Sequence, residues 1–206
     1  MQFIVSYIPY IFTGDFHNEL AERIPFTLFS IASVFVFYAF IKRWFDNKWI
    51  AFSSAFLFSV NGFIVGFSRI AQYQNLNLFF SALALYFYVD FLKPSENLMR
   101  NTLFGTVAFS LSVLSHWDAI FVIPPIVYFV IKFLLNKEID KKIKGQVILS
   151  NFLMGVIILA PFLIPYGYEQ VSNEANKQYF TRRVELGYLN HDRHKFLIEL
   201  YNPFLL

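Results

Sequence analysis

Cysteine is absent from this chain, which excludes disulfides and thiol chemistry. Charge is scarce as well. Asp, Glu, Lys and Arg make up 15% of the 206 residues, against roughly 25% in an average soluble domain. A formal net charge of +3 is too small to suggest a nucleic-acid partner. No Gly-rich phosphate loop, Cys/His zinc spacing or nucleophile elbow occurs. No fixed-period repeat or low-complexity linker is visible either. What the chain has in abundance is apolar bulk: 57% hydrophobic residues, 21% aromatic, 28 of them Phe. Its apolar segments lack the one-sided stripe of a soluble helix and are apolar all round, as helices in lipid are.

Six spans are predicted, at about 24–41, 49–68, 70–92, 101–117, 119–135 and 145–168. A helical crossing needs about 20 residues. Lysine and arginine alternate between the connections. Lys42, Arg43 and Lys48, then Lys93 and Arg100, then Lys132, Lys137, Lys141, Lys142 and Lys144 hold ten of the 17. Short loops rich in positive charge mark the cytoplasmic side. The turns at Arg23, Arg69 and His116, and the tail from Tyr166, are therefore expected on the opposite side. Pro124-Pro125 is expected to kink the fifth helix or weaken its hydrogen bonding.

Met1–Phe12 is apolar but too short to cross a bilayer, and it reads as an interfacial helix. Arg193–Leu206 reads as an amphipathic helix leading into a further span. Both ends suggest a fragment or truncated product of a larger protein. Three divisions follow: an extracytoplasmic interfacial helix and loop at 1–23, a transmembrane core at 24–168, and an extracytoplasmic loop with the start of another span at 169–206. The fold class is all-α, a polytopic transmembrane bundle.

Three polar clusters fall on the predicted outer face. Arg69 is the only charge between Lys48 and Asp90. Its guanidinium offers a bidentate fork for a phosphate or pyrophosphate, while Gln72, Gln74 and Asn75 beside it can hydrogen-bond a sugar. The bland reading is a snorkelling arginine with helix-capping amides. His116 and Asp118 flank Trp117 in a tight turn. Asp118 can bind a metal, orient His116 or accept from a sugar hydroxyl, or it can simply cap the helix beginning at Ala119. Asp15, Glu19, Glu22 and Arg23 precede the first full span; Asp15 can be read as a catalytic base, while the structural reading places Asp15 and Arg23 in a solvated loop, with Arg23 at the membrane boundary.

Gly14 followed by Arg23-Ile24-Pro25, the basic turn Lys42–Lys48, Ser68-Arg69 through Phe80 and the stretch SHWDAIFVIPP together resemble the GT-C membrane glycosyltransferases. The branch they resemble contains the protein O-mannosyltransferases and lipid A aminoarabinose transferases. The resemblance covers residues 1–135 well. It implies transfer of a sugar from a polyprenyl-phosphate-linked donor to a protein, lipid or glycan acceptor on the extracytoplasmic face. It also implies a catalytic Asp loop that would lie upstream of Met1, so no residue present is assigned as the catalyst. Where many members carry an acidic residue after Ser-Arg, Gln74 stands here. Metal use is left open, with no metal ligand and no cofactor assigned.

The expected site is a substrate-binding set of Arg69, Gln72, Gln74, His116 and Asp118 in a multi-pass protein of a bacterial plasma membrane. Its partners are the lipid-linked sugar donor, membrane lipids and the acceptor. The alternative is a non-enzymatic polytopic protein, either a transporter or an inactive remnant.

Overall fold

The computed structural model describes residues 2–15, 18–68, 73–93 and 95–173. Arg69, Gln72 and the expected helix at Arg193–Leu206 lie outside these residues. The chain divides into two units, Met1–Leu159 and Ala160–Leu206.

Every regular element among the described residues is helical. They are α1 (Gln2–Thr13), α2 (Glu19–Phe45), α3 (Lys48–Ser59), α4 (Gly62–Ser68), α5 (Tyr73–Tyr88), α6 (Leu98–Ser115), α7 (Ile123–Leu135) and α8 (Lys141–Ser172). Short 3₁₀ segments at Val89–Phe91 and Trp117–Val122 follow α5 and precede α7.

Helix α2 shows how local chemistry sets the boundaries. The Asn18 side chain accepts from the Ala21 N–H at 3.1 Å, and Glu19 and Glu22 occupy the positive first turn. Lys42 and Arg43 lie in the negative last turn, and Asp46 ends the helix in the left-handed region at φ 55°. The Asn47 side chain then accepts from the Trp49 and Ile50 N–H groups and starts α3. The expected solvated loop around Arg23 is instead the first turn of α2, where Arg23 pairs with Glu19 at 2.9 Å, both well exposed.

Three described stretches are long and apolar enough to cross a membrane: Ala21–Phe45, Trp117–Leu135 and Lys141–Glu169. The expected span at 49–68 is not continuous. It breaks between α3 and α4 at Val60-Asn61, and α3 alone, with 12 residues, reaches only ~18 Å. An Asn-Gly pair barely lowers the hydropathy of a 20-residue window, yet it suffices to interrupt the backbone. Pro124 and Pro125 do not kink α7. They sit in its first turn, where the absent N–H groups have no helical acceptor to miss.

Within the first unit, α5 packs against α2 and α6, and α1 lies on α2. Val5, Phe26 and Leu76 form a small apolar cluster that joins the starts of α2 and α5 at one end. The larger core holds Phe40, Tyr88, Val89, Phe91, Phe129 and Phe133. Trp44 and Phe129 meet edge to face at 5.2 Å.

Polar side chains tie the helices together. Tyr88 Oη and Thr106 Oγ1 are 2.9 Å apart, Thr106 Oγ1 donates to Asn151 Oδ1 at 2.5 Å, and Asn151 Nδ2 donates to Thr102 Oγ1 at 3.0 Å. These bonds link α5, α6 and α8 in the way buried hydroxyls and amides join membrane helices. Leu149, Phe152, Leu153, Val156 and Ile157 of α8 are exposed, an outer face suited to lipid. In the second unit, α8 continues through Pro161 and Pro165 to Ser172.

Candidate functional site

The starts of α2 and α5 and the end of α6 share one end of the first unit, and the polar residues of the α5–α6 contact converge there. Asn77 and Ser81 stand one turn apart on α5, and Ser112 and His116 one turn apart at the end of α6. Ser112 Oγ donates to Asn77 Oδ1, Ser81 Oγ lies 3.3 Å from the same oxygen, and the two serine hydroxyls are 2.8 Å apart. All three residues are buried.

His116 ends α6 by turning extended, with φ −166° and ψ 156°, while its own N–H still donates to Ser112 O at 3.0 Å. Its ring stacks on Tyr73 at 4.1 Å and 16°. Nδ1 accepts from the Asp118 N–H at 3.2 Å and lies 2.9 Å from Asp118 Oδ2. The cap of the Trp117–Val122 segment is therefore His116, and Asp118 belongs to its first turn. This corrects the expectation that Asp118 caps a helix beginning at Ala119.

Asp118 faces a cavity of about 420 Å³ that it lines together with Gln74, Asn77 and Ser81. Ile64, Leu78, Phe121 and Val122 supply an apolar wall. Gln74 Oε1 is buried and makes no hydrogen bond among the described residues. Asp118 is the only charged group among the described lining residues. A carboxylate, amides and a hydroxyl set against an apolar wall suit a ligand with hydroxyls on one side and carbon on the other.

Of the expected site residues, the structure thus places Gln74 and Asp118 on one cavity and His116 in contact with Asp118. Asn75 is fully buried and does not line the cavity. His116 and Asp118 are two metal-capable donors, and among the described residues no group of three or more His, Cys, Asp or Glu comes together. Tyr73, Asn77, Ser81 and Ser112 are additions that sequence reasoning missed. Only the four-residue spacing of Tyr73, Asn77 and Ser81 hinted that these residues share a face.

The opposite end holds a second polar centre, of which the charge pattern counted Arg43 as a loop residue. Asp90, 2% exposed, accepts from Arg43 Nη2, from Asn101 Nδ2 at 2.6 Å and from Ser95 Oγ at 3.0 Å. Arg43 also donates to Tyr86 O at 3.3 Å and lies over the Tyr86 ring. With its carboxylate fully engaged, this centre fastens α2, α5 and α6 and offers no ligand site.

A helical bundle with apolar outer faces, spanning-length helices and, at one end, a mostly apolar cavity edged by polar side chains is an integral membrane protein. The chain belongs to the dolichyl-phosphate-mannose-protein mannosyltransferase family, whose model matches residues 1–164, and the family is one of membrane glycosyltransferases. No curated protein and no solved structure matches the chain. The family match bears out the GT-C resemblance read from the Gly14–Phe80 motifs.

Proposed function

We propose that this protein serves the transfer of a sugar, a hexose such as mannose, from a polyprenyl-phosphate-linked donor to a protein, lipid or glycan acceptor. The reaction takes place at the extracytoplasmic face of a bacterial plasma membrane. The observation that carries this reading is the cavity in which Asp118, Gln74, Asn77 and Ser81 face an apolar wall. The family description supports it by naming a dolichyl-phosphate-mannose donor and a protein acceptor. Asp118 accepts from a hydroxyl of the sugar or acceptor, and His116 holds it in place. Gln74 supplies an amide to the same ligand. Arg69, four residues before the start of α5, binds the donor phosphate with its guanidinium fork, and Gln72 lies between them in the chain.

The test is transfer of labelled mannose from dolichyl-phosphate-mannose to an acceptor peptide by the protein in native membranes. Asp118→Ala removes a hydrogen bond to a polar ligand group and should slow transfer roughly 5- to 100-fold. Arg69→Ala removes a charged donor to the leaving phosphate and should cost about 10²–10³-fold. Wild-type rates in both variants would overturn the assignment.

A further inference from the structure

Asn77 lies one turn into α5, is 6% exposed and lines the cavity beside Asp118. Its Oδ1 faces two hydroxyls: Ser112 Oγ donates to it, and Ser81 Oγ stands 3.3 Å away. The serines touch each other at 2.8 Å, so the amide oxygen and the two hydroxyls close a ring of contacts across α5 and α6. A carboxamide is planar, so holding Oδ1 against the serines turns Nδ2 and its two protons the other way. Nδ2 makes no hydrogen bond to any described residue, and the cavity is the open space that Asn77 meets.

The geometry points to Asn77 as a ligand-binding residue whose Nδ2 donates to a hydroxyl oxygen of the sugar, with Ser81 and Ser112 as positioning residues that fix the amide. This rests on the sugar-transfer reading above and names the group that reads the sugar. A hydroxyl both accepts and donates, so one sugar ring can accept from Asn77 and donate to Asp118. A phosphate oxygen only accepts, and it would face the Asp118 carboxylate, which repels it. Leu78 and Phe121 on the apolar wall suit the C–H face of a pyranose. Asn77 is therefore assigned to the sugar and not to the phosphate of the lipid-linked donor.

The experiment is a binding titration of the full chain in lipid nanodiscs, read by thermal stabilisation, with dolichyl-phosphate-mannose and with dolichyl phosphate as probes. The wild type should bind the mannosylated lipid more tightly. Asn77→Ala should reduce that preference up to about tenfold, the worth of one hydrogen bond, and leave dolichyl phosphate binding unchanged. Retention of the wild-type preference in Asn77→Ala overturns the proposal. If that variant is not recovered as monodisperse protein, the Ser81→Ala/Ser112→Ala double variant decides. It leaves the amide free to turn, so loss of preference for the mannosylated lipid upholds the proposal and full retention overturns it. A wild type that does not distinguish the two lipids overturns it as well. A wild type that distinguishes them but transfers mannose to no acceptor sinks the transfer reading and leaves the role of Asn77 standing.

Discussion

The ring of Tyr88 lies directly on Gly105, where α5 and α6 make close contact. A Cβ at position 105 would fall 2.9 Å from two ring carbons of Tyr88 and 3.2 Å from a third. The ring cannot easily give way, because its hydroxyl is bonded to Thr106 at 2.9 Å and its face is stacked on Phe91. Small residues of this kind let membrane helices approach closely. Gly105→Ala should therefore overpack the contact and destabilise the protein by about 1–3 kcal/mol. Thermal unfolding in detergent measures the loss. In a Tyr88→Ala background the same substitution should cost much less, since the two residues share one contact. Equal costs in both backgrounds would show that the ring is not the obstacle.

Arg43 and Asp90 are 47 residues apart, yet they form the buried pair at the other end of the bundle. The two partners are unequally exposed, with side-chain exposures of 28% for Arg43 and 3% for Asp90. Arg43→Ala strands a buried carboxylate that keeps only Ser95 and Asn101, so it should cost about 3–5 kcal/mol. Asp90→Ala leaves a guanidinium that water reaches in part and that Tyr86 still shields, so it should cost less, about 1–3 kcal/mol. Adding Asp90→Asn to Arg43→Ala should recover much of the loss. Unfolding measurements on the three variants test this ordering, and a larger penalty for Asp90→Ala would refute it.

That pair shows where the sequence stops being informative. Long apolar segments were legible because a 20-residue window averages over local detail, and the outlines of α2, α7 and α8 follow from it. The break at Val60-Asn61 was lost in the same averaging. Charge counting put Arg43 with the loop residues, because a one-dimensional pattern cannot show that Asp90 returns to it in space. At the site, His116 and Asp118 were legible as neighbours two positions apart. Asn77 was not, because its importance comes from Ser112, which the fold brings over from another helix. The cap was assigned to Asp118 by residue preference. The extended backbone at His116 gives that role to the imidazole instead.

Asn151 reaches from α8 to three partners on two helices: Thr106, Thr102 and the Val147 carbonyl. Replacing it with Leu keeps the bulk and removes the bonds. Interhelical hydrogen bonds in membranes are modest, so Asn151→Leu should cost about 1 kcal/mol. Sugar transfer should be unaffected, since Asn151 does not line the cavity. A transfer defect without a fall in unfolding temperature would contradict a purely structural role.

His116 combines two functions that substitution can separate. Its Nδ1 accepts the Asp118 N–H and starts the 3₁₀ segment, and its ring stacks on Tyr73 beside the cavity. An asparagine side chain can also accept an N–H two residues on, and asparagine is a favoured cap. His116→Asn should therefore keep the cap and lose only the ring contacts, whereas His116→Ala loses the cap as well and about 1 kcal/mol more. Neither variant retains the imidazole that approaches Asp118 Oδ2 or the stack on Tyr73. Both should slow transfer, with the change in kcat larger than that in KM if the ring holds the carboxylate for the reacting sugar. Full transfer by His116→Asn would reduce the residue to a cap. Wild-type stability in His116→Ala would remove even that role.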